Sequence, residues 1–285
     1  MIRQRTYYPI LALLAAFVLH SAALAEDFHK EIKRGDEREV KVKLESAIGM
    51  VNISKGDDRH ILVMEMRTNH HWEVPFVADY KVHGRVGTLV LNWNPEGRNS
   101  WSLREGDRWD IQLTNALPLS IDANFGVGKS DFDLSGLDVK ELKITTGASS
   151  SIVSFGTPNK SVIENLRIES GVSKFVGEKL GNANFQHMTF DGGVGSYYLD
   201  FNGAITRDVE AHVKIGLGTV TIVLPPEIGA KVVYDDNWLS NFSIDRDFKQ
   251  NGSDTYLSSN YREAKVKISV YIESGLGSVR VKRRN

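Results

Sequence analysis

The sequence predicts an all-β chain: a right-handed β-helix or solenoid-like stack of short strands with capped ends. Three observations carry that prediction. One short phrase recurs seven times, apolar residues alternate with polar ones nearly throughout, and no segment sustains a 3.6-residue period.

The phrase is a small–apolar–small triplet, preceded at five and three residues by apolar side chains. Its copies are Ala47-Ile48-Gly49, Gly126-Val127-Gly128, Gly147-Ala148-Ser149, Gly171-Val172-Ser173, Gly193-Val194-Gly195, Gly216-Leu217-Gly218 and Gly275-Leu276-Gly277. The preceding pairs are Val42/Leu44, Ile121/Ala123, Leu142/Ile144, Leu166/Ile168, Met188/Phe190, Ala211/Val213 and Val270/Ile272. From Gly126 to Gly216 the copies step by 21, 24, 22 and 23 residues. One repeat therefore reads as strand, tight corner, strand, then a turn such as Asn202-Gly203 or Gly156-Thr157-Pro158-Asn159. Glycine suits a corner because it lets neighbouring backbones approach closely. The apolar residue within each triplet is expected to point inward and cover the corner.

Taken in order, residues 1–25 read as a cleavable secretory leader. Arg3 and Arg5 supply positive charge, Ile10 to Val18 an apolar stretch, and Ala23-Leu24-Ala25 a small-residue cleavage motif. A retained N-terminal anchor is the alternative; no later stretch approaches the length of a membrane-spanning helix. Residues 26–115 are expected to form a capping region. Its strands include Val40–Leu44, Ile61–Val63, Thr88–Asn92 and Trp109–Leu113, with a loop from Pro95 to Asp107. Four of the five tryptophans fall here (Trp72, Trp93, Trp101 and Trp109), and Trp238 lies in a second gap in the rhythm. They are expected to close the ends of the stack, a sugar-stacking platform being the other use of such a cluster. Residues 116–285 form the repeat body and C-terminal strands. The one short helical candidate is Glu178 to Asn184.

Composition narrows the function. Setting aside Arg3 and Arg5, 33 basic residues face 36 acidic ones, a net charge of −3 that offers nucleic acid no basic face. The basic end Lys282-Arg283-Arg284 reads as a solvated tail. The absence of cysteine excludes disulfides, thiolate metal sites and a lipid-anchored cysteine.

No residue is assigned a catalytic, cofactor-binding or metal role. Ala123 to Ser130 mimics a phosphate-binding loop, but that loop needs a helix opening directly after it, and here alternation continues. His70-His71 points to opposite faces of a strand, and His29, His60, His83, His187 and His212 lack ligand spacing. Asp131, Asp133, Asp191 and Asp200 lie near successive corners, where stacking could align them into a calcium-binding ladder; ordinary outward polar positions are the simpler reading. No Gly-x-Ser-x-Gly nucleophile elbow occurs.

From Trp109 onward the chain resembles the toastrack domain of the bacterial envelope, found in cell-wall antibiotic-response and Lia-type stress regulators. The resemblance rests on Leu117-Pro118-Leu119, Phe132-Asp133-Leu134-Ser135-Gly136-Leu137, the Gly147 copy, and Gly181-Asn182-Ala183-Asn184-Phe185. Gly192 to Gly195 with Leu199-Asp200-Phe201, and Gly216-Leu217-Gly218 with Leu224-Pro225, extend it, while Val42 to Gly56 looks like the family's opening hairpin. The resemblance implies a toastrack fold, placement outside the cytoplasm (periplasmic or secreted) and a non-enzymatic role in sensing or adhesin-like interaction. Signalling members carry transmembrane helices ahead of the domain, and this chain shows only the leader. Expected partners are an envelope protein or cell-surface glycan, with homo-association through edge strands as a further prospect, and no cofactor is expected. The rival expectation is a polysaccharide-acting lyase or hydrolase using corner aspartates with Arg207 and Arg246.

Overall fold

Extended backbone that continues through every copy of the phrase makes one long bent strand where the sequence suggested two short ones. The computed structural model describes residues 26–68, 76–93, 108–235 and 239–284. The leader, His70-His71, Trp72, Trp101, Trp238, the Pro95–Asp107 loop and the Trp93 side chain lie outside the described residues. Strands β1 (Glu26–Lys33), β2 (Glu39–Lys55), β3 (His60–Thr68), β4 (Phe76–His83), β5 (Val86–Trp93) and β6 (Arg108–Leu113) come first. The middle holds β7 (Pro118–Asp133), β8 (Asp138–Ser154), β9 (Ile163–Glu178), β10 (Phe185–Asp200) and β11 (Val209–Leu224). Then follow β12 (Gly229–Asp235), β13 (Ser240–Ile244), β14 (Phe248–Gln250), β15 (Thr255–Ser258) and β16 (Lys267–Arg283). The helical candidate is a single 3-10 turn, Leu180–Ala183.

The seven bent strands stack in parallel in the order β2, β7, β8, β9, β10, β11, β16. Their registers place Ile48 beside Val127, then Ala148, Val172, Val194, Leu217 and Leu276 in turn. All seven apolar pairs ahead of the triplets are buried. Each buried aliphatic or aromatic side chain contributes about 1.5–3 kcal/mol relative to exposure, but only once neighbouring rungs cover it. Phe175, Phe190 and Tyr197 pack ring to ring within the core, with centroids 5.2 and 5.3 Å apart.

Return segments close each rung, and buried asparagines hold them. Asn159 donates to the carbonyls of Val139 at 2.6 Å, Ser161 at 2.8 Å and Ala183 at 3.2 Å, and accepts from the Val139 amide at 2.8 Å. Asn182 donates to the Phe155 carbonyl and accepts from the Ala204 amide, both at 2.8 Å. Turn backbone that strands cannot pair is thereby satisfied inside the stack.

Both gaps in the repeat build end structures. At the first rung, β5 pairs with the arm of β2 ahead of the bend and carries antiparallel β4. The arm after the bend pairs with β6, followed by β3 and β1. Trp109 on β6 is fully buried there, so its ring is closed to a sugar. At the last rung, β12, β15 and β14 extend the leading arm of β16, and β13 lies on its trailing arm.

The basic end is a correction. Arg283 is no solvated tail residue: its side chain is only 4% exposed and pairs with Asp247 at 3.0 Å. Its guanidinium also donates to the carbonyls of Pro225, Ile228 and Pro226 at 2.7, 3.0 and 2.8 Å. A planar fork with five donors can gather carbonyls from a turn in this way, as a lysine cannot.

Candidate interaction surface

The bend itself is the most distinctive surface of the molecule. Inward-facing positions lie two residues before and three residues after the middle of each triplet, and apart from the buried Ser149 the residues in between lie outside the core. The phase of burial flips across the bend: Val42 and Leu44 face the core on one side, Val51 and Ile53 on the other. This overturns the expectation that the apolar residue of the triplet covers the core. Val172 is 63% exposed, Leu276 47%, Leu217 45% and Val194 43%. Ala148 is exposed, and Ile48 and Val127 are half-buried.

The physical reason is crowding on the inner side of the turn. Only small groups fit there in the central rungs, and they bond to one another. Thr146 and Ser170 hydroxyls lie 3.1 Å apart, Ser170 and Ser173 2.5 Å, Ser149 and Ser151 2.9 Å, and Ser130 donates to Ser151 at 2.8 Å. A larger apolar side chain has room only outside. Outside the two central rungs, where Ser149 and Ser173 hold the third position, close stacking of the bends also requires glycine. A Cβ on Gly128 would sit 2.0 Å from the Gly49 carbonyl oxygen, and its φ is +132°. Gly277 stands in the same relation to Gly218, at 1.8 Å with φ +141°.

The outcome is a continuous ridge of the triplets' apolar residues along the stack, with charged residues on both sides. On the leading arm, three residues before the ridge, stand Glu45, Asn124, Thr145, Glu169, Asp191, Lys214 and Glu273. Lys214 pairs with Glu273 at 3.4 Å. On the trailing arm, two residues past the ridge, the charged residues are Lys129 and Lys174, among serine, threonine and methionine. Acidic residues thus predominate on the leading side, and the two lysines stand on the trailing side. Beside the ridge lies a shallow open depression of about 390 Å³, lined by Thr145, Thr146, Glu169, Ser170, Gly171 and Asp191. Burial beneath it pushes the Tyr197 phenol upward from its ordinary pKa, against a hydrogen bond with Ser173 that lowers it.

The residues singled out by sequence are scattered. Asp191 lies on the leading arm, while Asp131, Asp133 and Asp200 lie on trailing arms, so the four form no single ladder. Asp133 and Asp200 each accept a backbone amide two residues on, from Ser135 at 3.0 Å and Asn202 at 2.9 Å, holding turns. Arg207 sits between β10 and β11, and Arg246 between β13 and β14. Among the described residues, no three histidine or acidic side chains gather as a metal cluster. Ala123 to Ser130 is the bend of β7, and a strand, not a helix, follows it. His60 bonds to Asp57 at 3.1 Å, and His212 stacks on Tyr271 with ring centroids 4.8 Å apart. No helix among the described residues is long and apolar enough to cross a membrane.

Sequence reasoning missed the outward ridge. The signal was present in the phase flip between Val42/Leu44 and Val51/Ile53, which an inward middle residue would not produce.

Comparison with known proteins gives one family match. Residues 22–178 match the family described as the N-terminal domain of toast_rack. Among solved structures, a candidate cell adhesion protein of Clostridium sporogenes is 20% identical, with a TM-score of 0.47 over 91% of this chain and 100% of its own. A candidate adhesin of Bacteroides fragilis is 11% identical, with a TM-score of 0.39 over 90% and 97% of the two chains. A candidate lipid binding protein of Parabacteroides distasonis is 10% identical, with a TM-score of 0.32 over 89% and 96%. No curated protein matched.

Proposed function

The chain belongs to the toast_rack N-terminal-domain family, and on that premise we propose that it is a non-enzymatic, adhesin-like interaction module of the bacterial envelope. The observation that carries this reading is the ridge. An ordered, contiguous row of exposed aliphatic side chains, unlike ones scattered singly, marks an interaction site. The rungs are rigid and in register, so they present that row as a fixed line. Its partner is an envelope protein or surface glycan. The leader of residues 1–25 supports placement outside the cytoplasm, with cleavage after Ala25.

The test is binding of the purified protein to isolated cell envelopes, with Leu217→Asp as the comparison. Because Leu217 is exposed, the variant should keep its thermal unfolding temperature and lose most of its envelope binding. Equal binding by both proteins removes the ridge from the reading.

One observation favours the rival, a polysaccharide-cleaving enzyme: Glu169 and Asp191 lie side by side in adjacent rungs within the open depression. Their openness argues against it, since a catalytic acid is usually tuned by burial. Release of reducing ends from envelope polysaccharide, abolished by Glu169→Gln, would establish the enzyme and overturn the module.

A further inference from the structure

We propose that the ridge pairs with the same ridge on a second copy of this chain, the two stacks lying side by side and parallel. This rests on the reading of the ridge as a contact surface and names its envelope-protein partner as a second copy of this chain.

The argument comes from the two flanks. When two ridges face each other about a two-fold axis along the stack, the leading arm of one copy faces the trailing arm of the other, rung against rung. Glu169 of one copy then meets Lys174 of the other, and the symmetry makes that pair twice. Lys129 falls one rung from the second copy's Glu45. Lys174 and Glu169 form no ion pair among the described residues, so both charges are available. Turning one stack end for end would set leading arm against leading arm. Glu169 would then face Glu169, and Glu45 would face Glu273, a repulsive arrangement. The charge pattern therefore selects both the partner and its direction.

Size sets the strength. Six rung spacings of about 4.8 Å make the ridge about 29 Å long. With a width of about 12 Å it covers roughly 350 Å² per copy, against about 800 Å² in a standard stable interface. The pairing is accordingly weak and transient, suited to chains concentrated on a surface. It is distinct from pairing through the open edges of the end strands, which would join stacks end to end.

The experiment is sedimentation equilibrium of the purified protein from about 20 μM to about 1 mM, at low and high salt. Reversible dimerisation that weakens with salt is expected. K174E alone and E169K alone should each weaken dimerisation by about tenfold or more, since each sets like charges opposite one another. Mixing the two variants should restore it, because every Glu–Lys pair re-forms between unlike copies. Val172→Asp should abolish it while leaving thermal unfolding unchanged. A protein that stays monomeric at the highest concentration overturns the proposal, as does a mixture with no restored association. Dimers insensitive to Val172→Asp but lost on placing proline in β13 assign the contact to strand edges and also overturn it. If the protein is monomeric while Leu217→Asp still loses envelope binding, the self-pairing fails and the interaction-module reading stands.

Discussion

At the scale of single residues, glycine and carboxylate positions decide what the chain tolerates. Gly128→Ala would drive a methyl group into the Gly49 carbonyl at a backbone angle that side-chain-bearing residues rarely adopt. A loss of about 2–4 kcal/mol is expected in urea unfolding. Gly252 has a similar angle, φ +111°, but nothing within 4 Å of an added methyl group. Gly252→Ala should therefore cost about 1 kcal/mol, the strain without the clash. Glu37 is buried, and burial acts to raise its pKa. Hydrogen bonds outweigh this, chiefly from the Gly35 amide at 3.0 Å and then from its own amide, with the Arg34 charge adding to them, so its carboxyl lies below the ordinary 4.5. The sign follows: its stabilisation is fully present above about pH 4.5 and is lost as pH falls through the depressed folded-state value. Unfolding free energies measured from neutral pH down to about pH 3 should fall less steeply for Glu37→Gln than for the wild type. The need for glycine in the triplets was legible in the sequence. The role of Glu37 was not, because its burial comes from segments that the local pattern does not place beside it.

Individual elements show where local pattern suffices and where it fails. The fourteen apolar residues ahead of the triplets were readable as core, since period-2 alternation maps directly onto the two faces of a strand. The end elements were harder. Their strands are short, and some pair antiparallel with neighbours distant in sequence, so no spacing announces the partner. Arg283 illustrates the limit. Its neighbours in sequence make it look like a tail, but the turn after β11 and the loop between β15 and β16 close over it. Arg283→Met should lower stability by about 3–5 kcal/mol, because Asp247 and three carbonyls lose their partner. Arg283→Lys should recover only part of that loss, since an ammonium cannot reproduce the fork. Thermal unfolding of both variants checks this.

On the scale of the whole molecule, seven rungs in continuous register should behave as one cooperative unit bounded by softer ends. Hydrogen exchange is expected to be slowest in β8 to β11, whose rungs are covered on both sides, and fastest in the edge strands β4, β13 and β14. Equal protection across all of these would contradict the stacked account. The all-β class, the number of rungs, the inward pairs and the need for glycine at most bends can be read from the residues alone. These follow from period and residue size, which are local properties of the chain. Folding alone set the apolar residue of each triplet on the outer side of the bend, the acidic residues and the two lysines on opposite flanks, and Arg283 as a clamp. Each of those depends on how rungs more than twenty residues apart come to lie side by side. Bending reverses the phase of burial, and stacking gathers isolated charges on two flanks, so neither property exists in any one copy of the phrase.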